Sequence, residues 1–392
     1  MRCNLVHFVV TFSLLGLWGV AAPAQPSVTE AAAKYNALIK EYDKAQQDFA
    51  KRLQDAATVA EQAKLFRDNN PQPAIATRFV ELAKSYPKDP AAYASLIWVV
   101  QNSEFGPGAE KPYAQAIALL ASQYADHKDS EQLFERMASS PFATSGQFLK
   151  AVYEKHPSPS VRGRAGFHLA LYLKKYCETV NLIHVQPELA ENIERFVGPD
   201  LFKQLKNADT AAMLRQADDV FARVQKDYPL TGYKRTVLGK AAEAELFELR
   251  YLMVGKTAPD LEGEDLDGKK FKLSDYRGKV VVIVFWGTWC GHCMAMVPHE
   301  RSLVKRLEGQ PFALLGVNSD PDREKLKPIL EKKGITWRSF WDGGDTEGPI
   351  ATRWNVQGWP MVYVLDARGV IRYKHVRDKT LDRVVDELMK EK

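Results

Sequence analysis

The sequence predicts two halves of different class, a helical half followed by a layered α/β half. Three observations carry this division. Residues from about Ser27 to Leu252 are rich in Ala, Leu, Lys, Glu and Gln and have few β-branched runs, a helical composition. From about Val254 onward, strand-like and helix-like segments alternate, as in an α/β layer. Six of the eight tryptophans lie in the second half, so the bulky aromatic core is expected there.

At 392 residues the chain is too long for one ordinary domain. Hydrophobic residues at 45% and charged residues at 26% match soluble globular proteins and exclude collagen-like, coiled-coil-only and wholly disordered chains. The net charge of +5 is the small excess of 54 basic over 49 acidic residues. No dense Lys/Arg block interleaves with aromatics, so nucleic acid is not expected as a partner. Four cysteines are too few for a disulfide-stapled scaffold, which makes any cysteine chemistry local.

The first segment reads as an export signal, Met1 to Pro26. Arg2 supplies the positive start, Leu5 to Val20 the apolar run, and Ala22-Pro23-Ala24 the small residues of a cleavage site. Cleavage near Ala24 is the expected outcome, with an uncleaved membrane anchor as the alternative. Cys3 precedes the apolar run, so it is not a lipoprotein anchor and is removed with the signal. The mature chain is then expected outside the cytoplasm, periplasmic or in the cell envelope, where disulfides persist. The expected division is residues 1–24 signal, 25–253 helical domain and 254–392 α/β domain.

Within the helical half one pattern recurs. Phe79 to Leu82 runs to Tyr86-Pro87, Phe148 to Ala151 to His156-Pro157, and Phe221 to Val224 to Tyr228-Pro229. The three prolines fall about 70 residues apart, roughly two helical-hairpin repeats. A tetratricopeptide-like array is expected. The alternative is an irregular helical bundle whose helices stop because proline lacks an N–H.

The second half opens at Gly255-Lys256-Thr257-Ala258-Pro259, and Asp267-Gly268 joins two short runs as a hairpin turn. Lys279 to Trp286 is a continuous β-branched run, which suits a central strand buried on both faces. A helix is expected from about Cys293 to Leu307, a strand over Phe312 to Val317 and a helix over Arg323 to Lys332. Strands at Met361 to Leu365 and Val370 to His375 lead to an amphipathic helix from Leu381 to Met389.

The chemistry concentrates at Trp289-Cys290-Gly291-His292-Cys293. Directly after a buried strand, Cys-x-x-Cys places its first cysteine at a helix N-terminus, where free N–H groups and the dipole stabilise a thiolate. The second, one turn on, is placed to attack a mixed disulfide and release the partner. Cys290 is therefore the expected nucleophile and Cys293 the resolving thiol, with His292 tuning the pair toward the oxidising side. Two other readings stay open: a zinc site, for which only His292 and His299 lie nearby, and a purely structural disulfide. A c-type haem is excluded because Met294 follows Cys293.

At these residues the sequence resembles the thioredoxin fold. More narrowly, the stretch Phe285 to Cys293 with Pro298 looks like the TlpA/ResA-like exported thiol–disulfide oxidoreductases of the redoxin, or AhpC/TSA, superfamily. Ala258-Pro259, Leu273 to Lys279 and Gly358-Trp359-Pro360 extend the likeness over roughly Val254 to His375. The resemblance implies a cis proline beside the active-site sulfurs, for which Pro360 is the candidate. It implies a docking surface for an extended partner segment from Trp289, Gly358, Trp359 and Pro360. It also implies protein thiols and disulfides as substrates, a membrane or soluble thiol electron donor, and no bound cofactor. Two departures stand out. Val284 occupies the place of a buried aspartate of thioredoxins, and Met296 that of a glutamate of the ResA-like reductases, so no group is assigned to deprotonate Cys293.

Thiol peroxidase, an antioxidant activity of the same superfamily, is the alternative enzyme. It requires Pro-x-x-x-Thr-x-x-Cys, whereas Thr288 lies two before Cys290 and Val284 to Thr288 contains no proline. The alternative from another class is a helical binding scaffold carrying a redox-inactive domain. The helical half is expected to recruit a protein partner. Cys177 reads as a buried packing cysteine, Met294 and Met296 as core, Asp342 to Asp345 as a flexible loop, and Glu300, Arg301 and Asp320 as solvated helix-end charges.

Overall fold

The computed structural model describes residues 29–103 and 108–391. The export segment expected at Met1 to Pro26, with Cys3, lies outside the described residues. Among the described residues no helix is long and apolar enough to cross a membrane.

The first half is helical. α1 (Glu30–Asp55) and α2 (Val59–Asn69) start at threonine caps: Thr29 accepts from Ala32 N, and Thr58 forms a capping box with Glu61. They are followed by α3 (Gln72–Ser85), α4 (Pro90–Asn102), α5 (Glu110–Gln123), α6 (Phe134–Ala138) and α7 (Ala143–Lys155). Then come α8 (Pro159–Val185), α9 (Pro187–Val197), α10 (Pro199–Lys206) and α11 (Thr210–Asp227). A small hairpin of β1 (Gly232–Tyr233) and β2 (Thr236–Val237) leads into α12 (Leu238–Phe247), which runs on as a π-helical turn, Glu248–Leu252. Phe79, Leu96, Tyr113, Ile117, Phe148 and Phe221 fill one continuous core between these helices.

The proline breaks act as the sequence indicates. α3, α7 and α11 stop two residues before Pro87, Pro157 and Pro229, because a proline disfavours helical backbone at the residue before it. Tyr86, His156 and Tyr228 cap them, each N–H reaching back to the carbonyl of Leu82, Val152 and Val224. The units between breaks are unequal, since α8 has 27 residues where α3, α4, α5 and α7 have 13 or 14.

The second half is a thioredoxin-like layer. A hairpin of β3 (Glu262–Glu264) and β4 (Lys270–Lys272) turns through Asp265, whose carboxylate accepts from Asp267 N and Lys269 N. The main elements are β5 (Val280–Trp286), α13 (Gly291–Arg306), β6 (Phe312–Asn318), α14 (Arg323–Lys333) and β7 (Ser339–Trp341). After them come α15 (Pro349–Arg353), β8 (Met361–Leu365), β9 (Ile371–Lys374) and α16 (Asp378–Lys390). The five-stranded sheet has the order β7-β6-β5-β8-β9, with β5, β6 and β7 parallel and β8 and β9 antiparallel.

Every residue of the central strand β5 is buried, and the two-residue period divides them. Val280, Val282, Val284 and Trp286 face a cluster with α13 and α16, whereas Val281, Ile283 and Phe285 face Trp354, Ala351 and Phe271. The halves are not joined by a free linker. Leu252, the end of the π-helical turn, belongs to the second cluster, and Gly255 N donates to Ile371 O at 2.7 Å. On the other face, Arg383 of α16 donates to Val185 O at the end of α8.

Candidate active site

β5 ends at Trp286, and the chain turns through Gly287-Thr288-Trp289 into α13. Cys290 caps this helix at its N-terminus as expected, and α13 begins at Gly291, two residues earlier than the expected Cys293. Its Sγ accepts from Cys293 N at 3.1 Å, which aims an otherwise free helix N–H at the sulfur. The two cysteines are joined in a disulfide with Cα atoms 5.2 Å apart. Cys290 retains 8% exposure and Cys293 2%, so an incoming sulfur meets Cys290 first.

The turn before Cys290 is clamped from the neighbouring strand. Asp320, just past β6, accepts from Thr288 N at 2.9 Å, from Thr288 Oγ1, and from Asn318 Nδ2 at 2.7 Å. The expectation of a solvated charge at Asp320 is corrected: it is buried at 7% exposure, because three donors around the turn replace water. At Gly287 a Cβ would lie 2.6 Å from Trp289 Nε1, so glycine is what lets that indole fold back over the turn.

Trp289 is 46% exposed, and its ring stands 5.7 Å from that of Trp359. Trp359 also packs against the cluster that holds both cysteines, and its Nε1 donates to Ser319 Oγ at 3.1 Å. Trp359–Pro360 is a cis peptide, and Pro360 O accepts from Arg377 Nη2 at 3.0 Å. Gly358 is exposed, and a Cβ there would meet nothing within 4 Å. Thus Trp289 and Trp359 stand side by side near the sulfurs, Gly358 leaves open backbone next to them, and His292 is exposed on the first turn of α13.

The core face of α13 departs most from expectation. Cys293, Met296, Val297, Glu300 and Leu303 all face inward, so the core reading holds for Met296, while Met294 is half-buried and packs against the same cluster. Glu300 is no solvated charge. It is 3% exposed, its Oε1 has no hydrogen-bond partner, and burial pushes its carboxyl up to about 7. Its seven-residue spacing from Cys293 was the available signal, since it keeps two residues on one helix face. Seven residues also span about 10 Å along the axis, too far for Glu300 to take the Cys293 proton directly. Arg301 is exposed as expected and donates to Lys333 O.

Because the folded-state pKa of Glu300 is raised, the neutral carboxyl favours the fold. That stability is complete below about 4.5 and is lost as the pH rises through about 7. Glu300→Gln is therefore expected to gain on the natural chain by about 3 kcal/mol between pH 4.5 and pH 8, measured by urea unfolding at both. A pH-independent difference would contradict it.

Three other sites resolve simply. Asp342 is buried rather than part of a loose loop, accepting from Ile350 N and Ala351 N at the start of α15. Cys177 is buried in α8 near Thr210 O, and burial pushes its thiol up to about 12, an inert setting. His299 pairs with Asp382 at 2.9 Å, and among the described residues no three His, Cys, Asp or Glu are grouped to hold a metal ion.

Comparison with known proteins places this geometry among others. The AhpC/TSA family model matches residues 254–374. Thiol-disulfide oxidoreductase ResA of Geobacillus thermodenitrificans is 32% identical over 136 residues, covering 34% of this chain and 76% of that protein. Thiol:disulfide interchange protein DsbE of Vibrio cholerae is 34% identical over 134 residues, covering 33% of this chain and 69% of that protein. The solved thioredoxin domain of a thiol-disulfide oxidoreductase from Bacteroides vulgatus is 25% identical with a TM-score of 0.33, covering 35% of this chain and 99% of that one. The family model leaves the helical half unmatched.

Proposed function

The chain belongs to the AhpC/TSA family as a ResA-like thiol–disulfide oxidoreductase, and from that premise we propose that Cys290 and Cys293 exchange electrons with protein disulfides. In the reducing direction the Cys290 thiolate attacks a partner disulfide, forming a mixed disulfide and expelling one partner thiolate. Cys293 then attacks the Cys290 sulfur, releases the second partner thiol and closes the Cys290–Cys293 bond. Two electrons pass to the partner, and a thiol donor restores the pair by the reverse steps. No cofactor enters this scheme.

The observation that carries the assignment is the placement of Cys290. It caps α13, receives the Cys293 N–H, and is the more exposed sulfur of a bonded pair. A thiolate there is favoured by the helix N-terminus. Trp289, Gly358, Trp359 and Pro360 would receive an extended segment of the partner, and His292 would tune the pair. The Met1 to Pro26 reading adds export to the periplasm or cell envelope, and the helical half would recruit the client or donor.

The test is stoichiometric. Pre-reduced protein mixed with a disulfide-bonded peptide should convert one peptide disulfide to two thiols for each Cys290–Cys293 bond formed. Peptide that stays oxidised would overturn the reading.

A further inference from the structure

The interface between the two halves contains a buried charge cluster. Lys174 of α8 binds Glu245 of α12 and Glu248 of the π-helical turn, the latter at 2.7 Å. Lys374 of β9 binds Glu248 at 2.7 Å and Glu178 at 3.5 Å. Burial opposes charge at Glu248, yet Lys174 and Lys374 prevail and hold its carboxyl well below the usual range. Such a buried cluster adds little net stability, because the cost of desolvating its charges offsets their attraction.

One side chain leads from this cluster toward the sulfurs. Asn355 is buried and held in the left-handed backbone region, with φ 51°. Its Nδ2 donates to Glu245 Oε1 at 3.1 Å and to Glu248 Oε2 at 2.9 Å. Carboxylates only accept, so the amide orientation is determined, and Oδ1 faces Gln357, accepting from its Nε2 at 2.8 Å. Gln357 directly precedes Gly358-Trp359-Pro360. The far end of this segment is tied to Ser319, which follows β6, and to Arg377, which precedes α16.

We propose that Asn355, Glu245 and Glu248 are positioning residues through which the helical half holds the Gly358–Pro360 segment ready for an extended disulfide-bearing peptide. The proposal rests on the docking role given to that segment above. Left-handed backbone at a non-glycine residue is retained where the surroundings over-determine it, and here two carboxylates from the other half do so. A segment fixed in advance loses less freedom when a partner docks. The helical half is thus part of the redox site rather than an appended module.

The experiment uses the full chain, pre-reduced, in single-turnover reaction with an extended peptide carrying a glutathione mixed disulfide, followed by tryptophan fluorescence. Asn355→Gly keeps the left-handed backbone accessible and removes the bridge. Its half-saturating peptide concentration should rise about tenfold with the maximal rate held within about twofold. Glu245→Leu should shift the same way, and Glu245→Gln, which keeps an acceptor for Asn355 Nδ2, should restore the natural value. Removing Glu245 leaves Lys174 and Lys374 balanced by Glu178 and Glu248, so this pair of variants reports even if Asn355→Gly does not fold. Unchanged half-saturation, or a fall in maximal rate alone, overturns the proposal. A natural chain that fails to react with the peptide overturns the docking role itself, which separates the two failures.

Discussion

Cys290→Ala is expected to abolish disulfide exchange, lowering the rate by roughly three orders of magnitude or more, the scale on which loss of a covalent nucleophile acts. Cys293→Ser should behave differently. It keeps the Cys290 sulfur that attacks but lacks the thiol that resolves, so it should accumulate a mixed disulfide with the peptide, visible as a mass increase reversed by dithiothreitol. The contrast follows from geometry: Cys290 caps α13 and is the more exposed of the two sulfurs, and Cys293 is more deeply enclosed. A Cys293→Ser variant that traps no peptide, or trapping by Cys290→Ala, would contradict the assigned roles.

The second large effect concerns stability. Lys174→Met should destabilise the protein by about 3–5 kcal/mol, the loss associated with breaking a buried ion pair from one side. Without Lys174, Glu248 keeps only Lys374 as a cation and Glu245 keeps only the Asn355 amide, and both carboxylates are buried. Urea unfolding at neutral pH measures this, and a loss under about 1 kcal/mol would show the cluster to be solvated. The cluster also has an acid limb. Because the Glu248 carboxyl is held low in the fold, its contribution is present above the ordinary value of 4.5 and is lost as the pH falls. This is opposite in sign to Glu300, so stability should be greatest between the two.

The sequence made some of this legible and hid the rest for identifiable reasons. β5 could be read directly, because a strand buried on both faces shows as an unbroken β-branched run from Val280 to Trp286. The helix-start position of Cys290 and Cys293 was legible because their three-residue spacing after a strand is a local feature. The helix breaks at Pro87, Pro157 and Pro229 follow from local sterics. What escaped is nonlocal. Asp320 and Glu300 read as surface charges since charge is mostly solvated, and nothing local announces that Thr288, 32 residues away, would bind Asp320. The Asn355 link to Glu248 spans 107 residues of chain and the Lys374 link spans 126, so neither leaves a pattern in any window.

The central claim is that the cysteine pair is a reversible two-electron centre. It is tested most directly by equilibrating the full chain in glutathione buffers of graded potential and following tryptophan fluorescence, with Trp289 beside the pair as the reporter. The account predicts one reversible transition changing by about 30 mV per decade of the oxidised-to-reduced ratio, absent in Cys290→Ala. A fluorescence that does not respond to potential, in a chain whose two thiols never interconvert with the disulfide, would contradict it.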